Sequence, residues 1–139
     1  MRKFAVTLAA VAFAGCALFG GSGGAGPLAG WDGEWTGSFF GSAGDVGMLE
    51  LEFSTDTTGS PVGLARFDGG GGMQEARLQD LMLTRDSLTT ALYFDGMSAE
   101  IRGAREADQA EGVYILRPTG QEQVIDSGTW ELARKAAGG

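Results

Sequence analysis

The chain of 139 residues has 43% hydrophobic and 20% charged residues, the composition of a single folded domain and not of a disordered or multidomain protein. It contains no histidine and one cysteine, which excludes a Ser-His-Asp triad, a His-ligated metal and an intrachain disulfide. Ten basic residues against 18 acidic residues give a net charge of −8, and no basic stripe is present, which argues against nucleic acid as a partner.

The first fifteen residues have the pattern of a secretory signal peptide. Arg2 and Lys3 supply a positive start, and residues 4–15 form an apolar run. That run is shorter than the roughly 20 residues a membrane-spanning helix needs. The pattern therefore predicts a secretory signal peptide over residues 1–15.

The end of this run, residues 13–16 with the sequence FAGC, resembles the lipobox of bacterial lipoproteins. The resemblance implies cleavage between Gly15 and Cys16 and attachment of acyl chains to Cys16, which would make the membrane a partner. Phe13 stands where that family prefers Leu. Because Ala17, and not Asp, directly follows Cys16, the resemblance also implies that the protein is located at the outer membrane, at its periplasmic face or at the cell surface. The alternative is an ordinary signal peptide that is cut nearby.

A glycine-rich segment follows the cysteine. Residues 21–26 spell G-x-G-x-x-G, but no strand precedes them and Pro27 follows, so we expect no dinucleotide site and no other cofactor. We therefore expect a signal peptide (1–15), a lipidated cysteine with a flexible tether (16–30), a folded domain (31–135) and a disordered tail (136–139). The chain from Cys16 onward has 8 basic and 18 acidic residues, a net charge of −10. An anionic membrane surface would repel that charge, so the acyl group must anchor the protein to the membrane.

The folded domain shows the period-two alternation of β-strands. Between Met48 and Phe53, apolar side chains alternate with Glu50 and Glu52. Asp95-Gly96 is a strong hairpin signal. The pattern predicts about eight strands, at residues 34–40, 48–53, 62–67, 76–84, 87–94, 97–105, 111–117 and 129–134.

The middle segment, residues 73–83, is ambiguous. It is rich in helix-forming residues, and the alternation fails between Leu81 and Met82 unless a bulge intervenes. We predict an all-β domain, a single antiparallel up-and-down barrel of about eight strands. The alternatives are a β-sandwich and a barrel with one helix near residues 73–83.

The first and last predicted strands carry a further resemblance. Gly33-Glu34-Trp35 opens the domain, and residues 128–134 close it with a basic residue, Arg134. This layout resembles the calycin superfamily of lipocalin-like and avidin-like barrels. The resemblance implies that Trp35 is buried and that Arg134 packs over its ring. We expect Trp130 to be structural as well, whereas Trp31 either lines a barrel mouth or contacts a partner.

The polar residues do not suggest catalysis. Glu50 and Glu52 lie about 7 Å apart on one strand face, but the opposite face is apolar, so a solvated surface explains them. The aspartates fall in turns without a calcium-loop pattern, and the serines have no histidine base. We therefore expect no catalytic residues, no metal and no enzymatic activity.

We expect a non-catalytic binding or accessory module, for a small apolar ligand as the barrel resemblance implies. The side chains expected to line its interior are Leu49, Leu51, Phe53, Leu92, Phe94 and Ile101. The alternative is a structural or assembly lipoprotein that binds another envelope protein. An open pocket of about 300 Å³ or more would favour the ligand, and a filled interior with an exposed apolar patch would favour the protein partner.

Overall fold

The computed structural model describes residues 26–136, so the predicted signal peptide, Cys16, most of the tether and most of the tail lie outside the described residues. Within residues 26–136 no helix is long and apolar enough to cross a membrane. The described residues form nine strands. These are β1 (Gly33–Gly41), β2 (Val46–Thr55), β3 (Pro61–Asp68), β4 (Gln74–Arg77), β5 (Gln79–Leu83), β6 (Ser87–Phe94), β7 (Met97–Glu106), β8 (Gln109–Pro118) and β9 (Asp126–Arg134).

The strands form one antiparallel sheet that curls into a nearly closed barrel. Its order is β4-β3-β2-β1-β9-β8-β7-β6-β5, so the first and last strands pair with each other. That pairing runs from Trp35 opposite Arg134 to Gly41 opposite Gly128. The predicted all-β, up-and-down barrel is confirmed, and the sandwich alternative is wrong because one continuous sheet includes all nine strands.

The middle segment consists of two short strands, which makes nine strands in place of about eight. β4 pairs with β3, β5 pairs with β6, and Leu78 lies between them with its N–H donated to the carbonyl of Gly63 (2.9 Å). The register shifts between Gln79 and Met82, where Asp80 has φ +52°. The expected bulge is present, and the alternative of a helix here is wrong. This broken strand brings the two ends of the sheet together.

The two ends of the barrel differ. We call the end whose interior is filled by buried side chains the closed end, and the opposite end the open end. At the closed end lie the start of β1, the end of β9 and the turns after β2, β5 and β7. At the open end lie residues 41–46, 68–74, 94–97 and 118–126, which connect the other strands. The largest fully buried side chains include Trp31, Trp35, Leu51 and Leu88. All of the buried core lies between Trp31 and Leu132, so the described barrel contains its own core.

Candidate functional site

Trp31 plugs the closed end of the barrel. Its ring centroid lies 5.4 Å from that of Trp35 and 5.8 Å from that of Phe53, and its side chain is fully buried. Its indole N–H donates to the carbonyl oxygen of Thr84 (2.8 Å). Trp31 therefore belongs to the core, and the expectation that it lines a mouth or contacts a partner is wrong.

Two arginines cover this plug from outside. The guanidinium carbon of Arg134 lies 4.4 Å from the ring centroid of Trp35, and Arg134 also donates to the carbonyl oxygens of Gly30 and Asp32. Arg105 lies 5.8 Å from the ring centroid of Trp31. These contacts attach the turn before β1 to the closed end of the barrel, where Trp31 and Trp35 fill the interior.

The other half of the interior is hollow. A pocket of about 130 Å³ opens to solvent at the open end, and its walls are almost entirely apolar. Four of the six side chains expected to line a cavity do line it, namely Leu49, Leu92, Phe94 and Ile101. The other two, Leu51 and Phe53, are buried outside the pocket, and the ring of Phe53 packs against Trp31. The volume is below 300 Å³, so the pocket admits only part of a long ligand.

Five aromatic side chains line the pocket: Phe39, Phe67, Phe94, Tyr114 and Trp130. The rings of Phe67 and Phe94 meet edge-to-face at 4.8 Å, and those of Phe39 and Tyr114 do so at 5.9 Å. These are favourable geometries for aromatic pairs, so each ring stabilises the position of its partner in the pocket wall.

Glycines on neighbouring strands make room for three of these rings. A Cβ placed at Gly128 would lie 2.8 Å from the ring of Tyr114, and one placed at Gly112 would lie 2.7 Å from the ring of Trp130. A Cβ at Gly47 would overlap the ring of Phe39. Each large side chain therefore lies over a residue without a side chain, which leaves the centre of the open half free.

One carboxylate interrupts the apolar lining. Asp126, the first residue of β9, accepts a hydrogen bond from the hydroxyl of Ser42 (2.9 Å) and another from the phenol of Tyr114 (3.3 Å). Burial raises the pKa of Tyr114 to about 12, and the negative charges of Asp126 and Asp45 add to this effect. Tyr114 therefore stays a neutral hydrogen-bond donor, and Asp126 keeps acceptor capacity for a further group.

The sequence did not predict that Phe39, Phe67 and Asp126 line the pocket. Phe39 lies four residues after Trp35 on the inward face of β1, so the period-two alternation was sufficient to predict that its side chain faces the interior. Asp126 was interpreted only as a turn residue, although it begins a strand whose next inward large side chain is Trp130. Its approach to Tyr114 depends on the pairing of β8 with β9.

The carboxylates of β2 lie outside the barrel. The guanidinium of Arg66 lies 3.8 Å from Glu50, 3.6 Å from Glu52 and 3.0 Å from Glu75. Side-chain exposures between 32% and 57% place this network in solvent, where ion pairs contribute little to stability. Among residues 26–136, no three His, Cys, Asp or Glu side chains are grouped so as to hold a metal ion.

The fold and the pocket define a small antiparallel β-barrel that is plugged at one end and open at the other. No protein-family model and no curated protein matches the chain. Among solved structures, the chain is similar to EF1p2_mFAP2b bound to DFHBI, with a TM-score of 0.57 and 13% sequence identity. The similarity covers 78% of this chain and 98% of that one. At this identity the likeness concerns the fold alone.

Proposed function

We propose that the protein is a lipid-anchored envelope protein whose barrel binds a small apolar ligand at its open end without catalysing a reaction. The observation that carries the proposal is the aromatic-lined pocket at the open end, beside a closed end whose interior is filled by the buried rings of Trp31 and Trp35. EF1p2_mFAP2b is bound to DFHBI, which shows that a protein of this fold can hold a ligand. Asp126 is the one carboxylate that lines the described pocket, so a pair of carboxylates for acid–base catalysis is absent there.

The size of the pocket limits the ligand. An engineered apolar cavity of about 150 Å³ binds benzene, and the pocket here measures about 130 Å³. A single aromatic ring or a short branched alkyl group fits this space, whereas a whole fatty acid does not. The rest of a larger ligand would extend through the open end into solvent.

The proposed anchor fits the orientation of the barrel. The described chain begins at the closed end, where Leu28 packs against the core and Arg105 donates to the carbonyl of Ala29 (3.3 Å). An acyl group on Cys16 would therefore hold the closed end toward the membrane. The open end would then face away from the bilayer, at the periplasmic face of the outer membrane or at the cell surface, where a water-borne ligand can reach it.

The experiment is a calorimetric titration of the chain from Ala17 onward, which contains all nine described strands, with 2-phenylethanol. Ala99 lines the pocket on β7, and Ala104 is exposed on the same strand. We expect saturable binding that Ala99→Leu abolishes and that Ala104→Leu leaves unchanged, because only the first substitution fills the pocket. If neither 2-phenylethanol nor its charged analogues, 2-phenylethylammonium and 3-phenylpropanoate, bind the folded wild-type chain, the proposal is wrong.

A second candidate function rests on the exterior of the barrel. Val113, Thr129, Phe40 and Val46 face one another across four adjacent strands, and all four are exposed. Three exposed apolar side chains around one threonine favour the alternative of an assembly lipoprotein that contacts another envelope protein. Phe40→Ser with Val46→Ser would then abolish co-purification of a membrane protein while leaving ligand binding intact.

A further inference from the structure

The open end of the barrel is acidic. Its four connections, all within the described part of the chain, contain Asp45, Asp68, Asp95, Glu122 and Asp126 and no lysine or arginine. The basic residue nearest to them in sequence, Arg117, directs its guanidinium to Glu100 (3.3 Å) and is not part of the pocket lining. A ligand that approaches this end therefore meets a negative potential, which attracts cations and repels anions.

The pocket wall is also suited to a cation. Five aromatic rings line about 130 Å³, and aromatic ring faces attract a positive charge that lies within about 6 Å of the ring centroid. The carboxylate of Asp126 lies among these rings with one hydrogen bond to each of its oxygens. A carboxylate and several aromatic rings around one small space are the groups that recognise an organic ammonium ion.

We propose that the ligand of this pocket is an organic ammonium compound, a primary or quaternary amine joined to a single ring or short alkyl group. This inference rests on the proposed ligand-binding function and names its ligand class. The apolar part fills the space between Leu92 and Trp130, and the ammonium group lies near Asp126. An anionic ligand is disfavoured, since a carboxylate beside Asp126 would be repelled and no lysine or arginine in the described lining would pair with it.

Three probes of matched size test the inference: 2-phenylethylammonium, 2-phenylethanol and 3-phenylpropanoate. Each has one benzene ring on a short arm, and they differ in charge. Calorimetric titration of the chain from Ala17 onward at pH 7 should give the tightest binding for the cation, about tenfold tighter than for the alcohol, with the anion weakest. Raising the salt concentration should narrow the difference between cation and alcohol, because salt screens the acidic end.

Two substitutions of equal charge change locate the effect. Asp126→Asn should weaken binding of the cation to about the level of the alcohol, and should weaken binding of the alcohol much less, because the alcohol carries no charge. Asp95→Asn removes a carboxylate at the same end but outside the pocket lining, and should change the affinity for the cation less than about twofold. The order of the three probes on the wild-type chain tests the inference even if Asp126→Asn fails to fold.

The outcomes separate the two proposals. If the alcohol or the anion binds as tightly as the cation, the ammonium inference is wrong and the ligand-binding function stands. If the cation binds tightest but Asp126→Asn and Asp95→Asn weaken its binding equally, the preference arises from the overall negative potential of the open end. The proposed position of the ammonium group beside Asp126 is then wrong. If none of the three probes binds the folded chain, the proposed function fails and the inference fails with it.

Discussion

The indole of Trp130 lies against Gly103, two strands away in the sheet. Trp130 on β9 is opposite Gly112 on β8, and Gly112 is opposite Gly103 on β7, so the ring extends across both glycines. A Cβ at Gly103 would overlap the ring. The indole N–H donates to the carbonyl of Val113 (3.1 Å), which fixes the ring in this orientation. The two glycines thus keep the largest side chain of the open half flat against the wall.

The first prediction tests this relationship. Gly103→Ala should lower the free energy of unfolding by about 1–3 kcal/mol, because the new methyl group displaces a rigid and almost fully buried ring. Urea denaturation measures the change. Gly71→Ala is the matched control, since nothing lies within 4 Å of a Cβ at Gly71, and it should alter stability by less than about 0.5 kcal/mol. Equal effects of the two substitutions would show that Trp130 does not lie on Gly103.

The second prediction concerns Arg134 at the closed end. Arg134→Met should cost about 1–3 kcal/mol of unfolding free energy, because the contact with the Trp35 ring and the hydrogen bonds to the carbonyls of Gly30 and Asp32 are lost. Its neighbour Lys135, 64% exposed at the side chain, provides the control Lys135→Met, which should have little effect. Thermal unfolding of both variants checks this, and similar melting temperatures would contradict the role given to Arg134.

The alternation of side chains was sufficient to predict the barrel, and the Gly-x-Trp start with a basic residue near the end indicated which strands close it. The pocket could not be located in this way. Leu49, Leu51 and Phe53 alternate identically in the sequence, yet only Leu49 lines the pocket. The difference arises because Trp31 fills one end of the barrel, and its position depends on a hydrogen bond to Thr84, 53 residues away in the chain.

The third prediction is a titration of Tyr114. The pKa of Tyr114 is raised from 10.0 to about 12, chiefly by burial and then by Asp126, so its phenolate absorbance should appear only near pH 12 and be absent in Tyr114→Phe. Because the folded state holds this proton more tightly than the unfolded state, the free energy of unfolding should fall as the pH rises from about 10 toward 12. Asp126→Asn should shift the midpoint downward. Ionisation of Tyr114 at pH 10 in the folded protein would contradict the burial of its hydroxyl beside Asp126.

The fourth prediction tests the proposed anchor. Expressed from Met1 in a Gram-negative host, the chain should incorporate labelled palmitate and fractionate with membranes, because multiple acyl chains are needed for stable anchoring. Cys16→Ser should abolish the label and release or misprocess the protein. Membrane retention of the Ser variant equal to that of the wild type would contradict the lipobox interpretation.

We propose that the barrel binds its ligand at the open end, against Trp130, and not at the closed end. Intermolecular nuclear Overhauser effects between the ring protons of 2-phenylethanol and the indole protons of the three tryptophans measure this directly. We expect strong effects to Trp130 and none to Trp31 or Trp35, which are fully buried beneath two arginines. Effects confined to exterior side chains such as Phe40 and Val46, with none to Trp130, would contradict it.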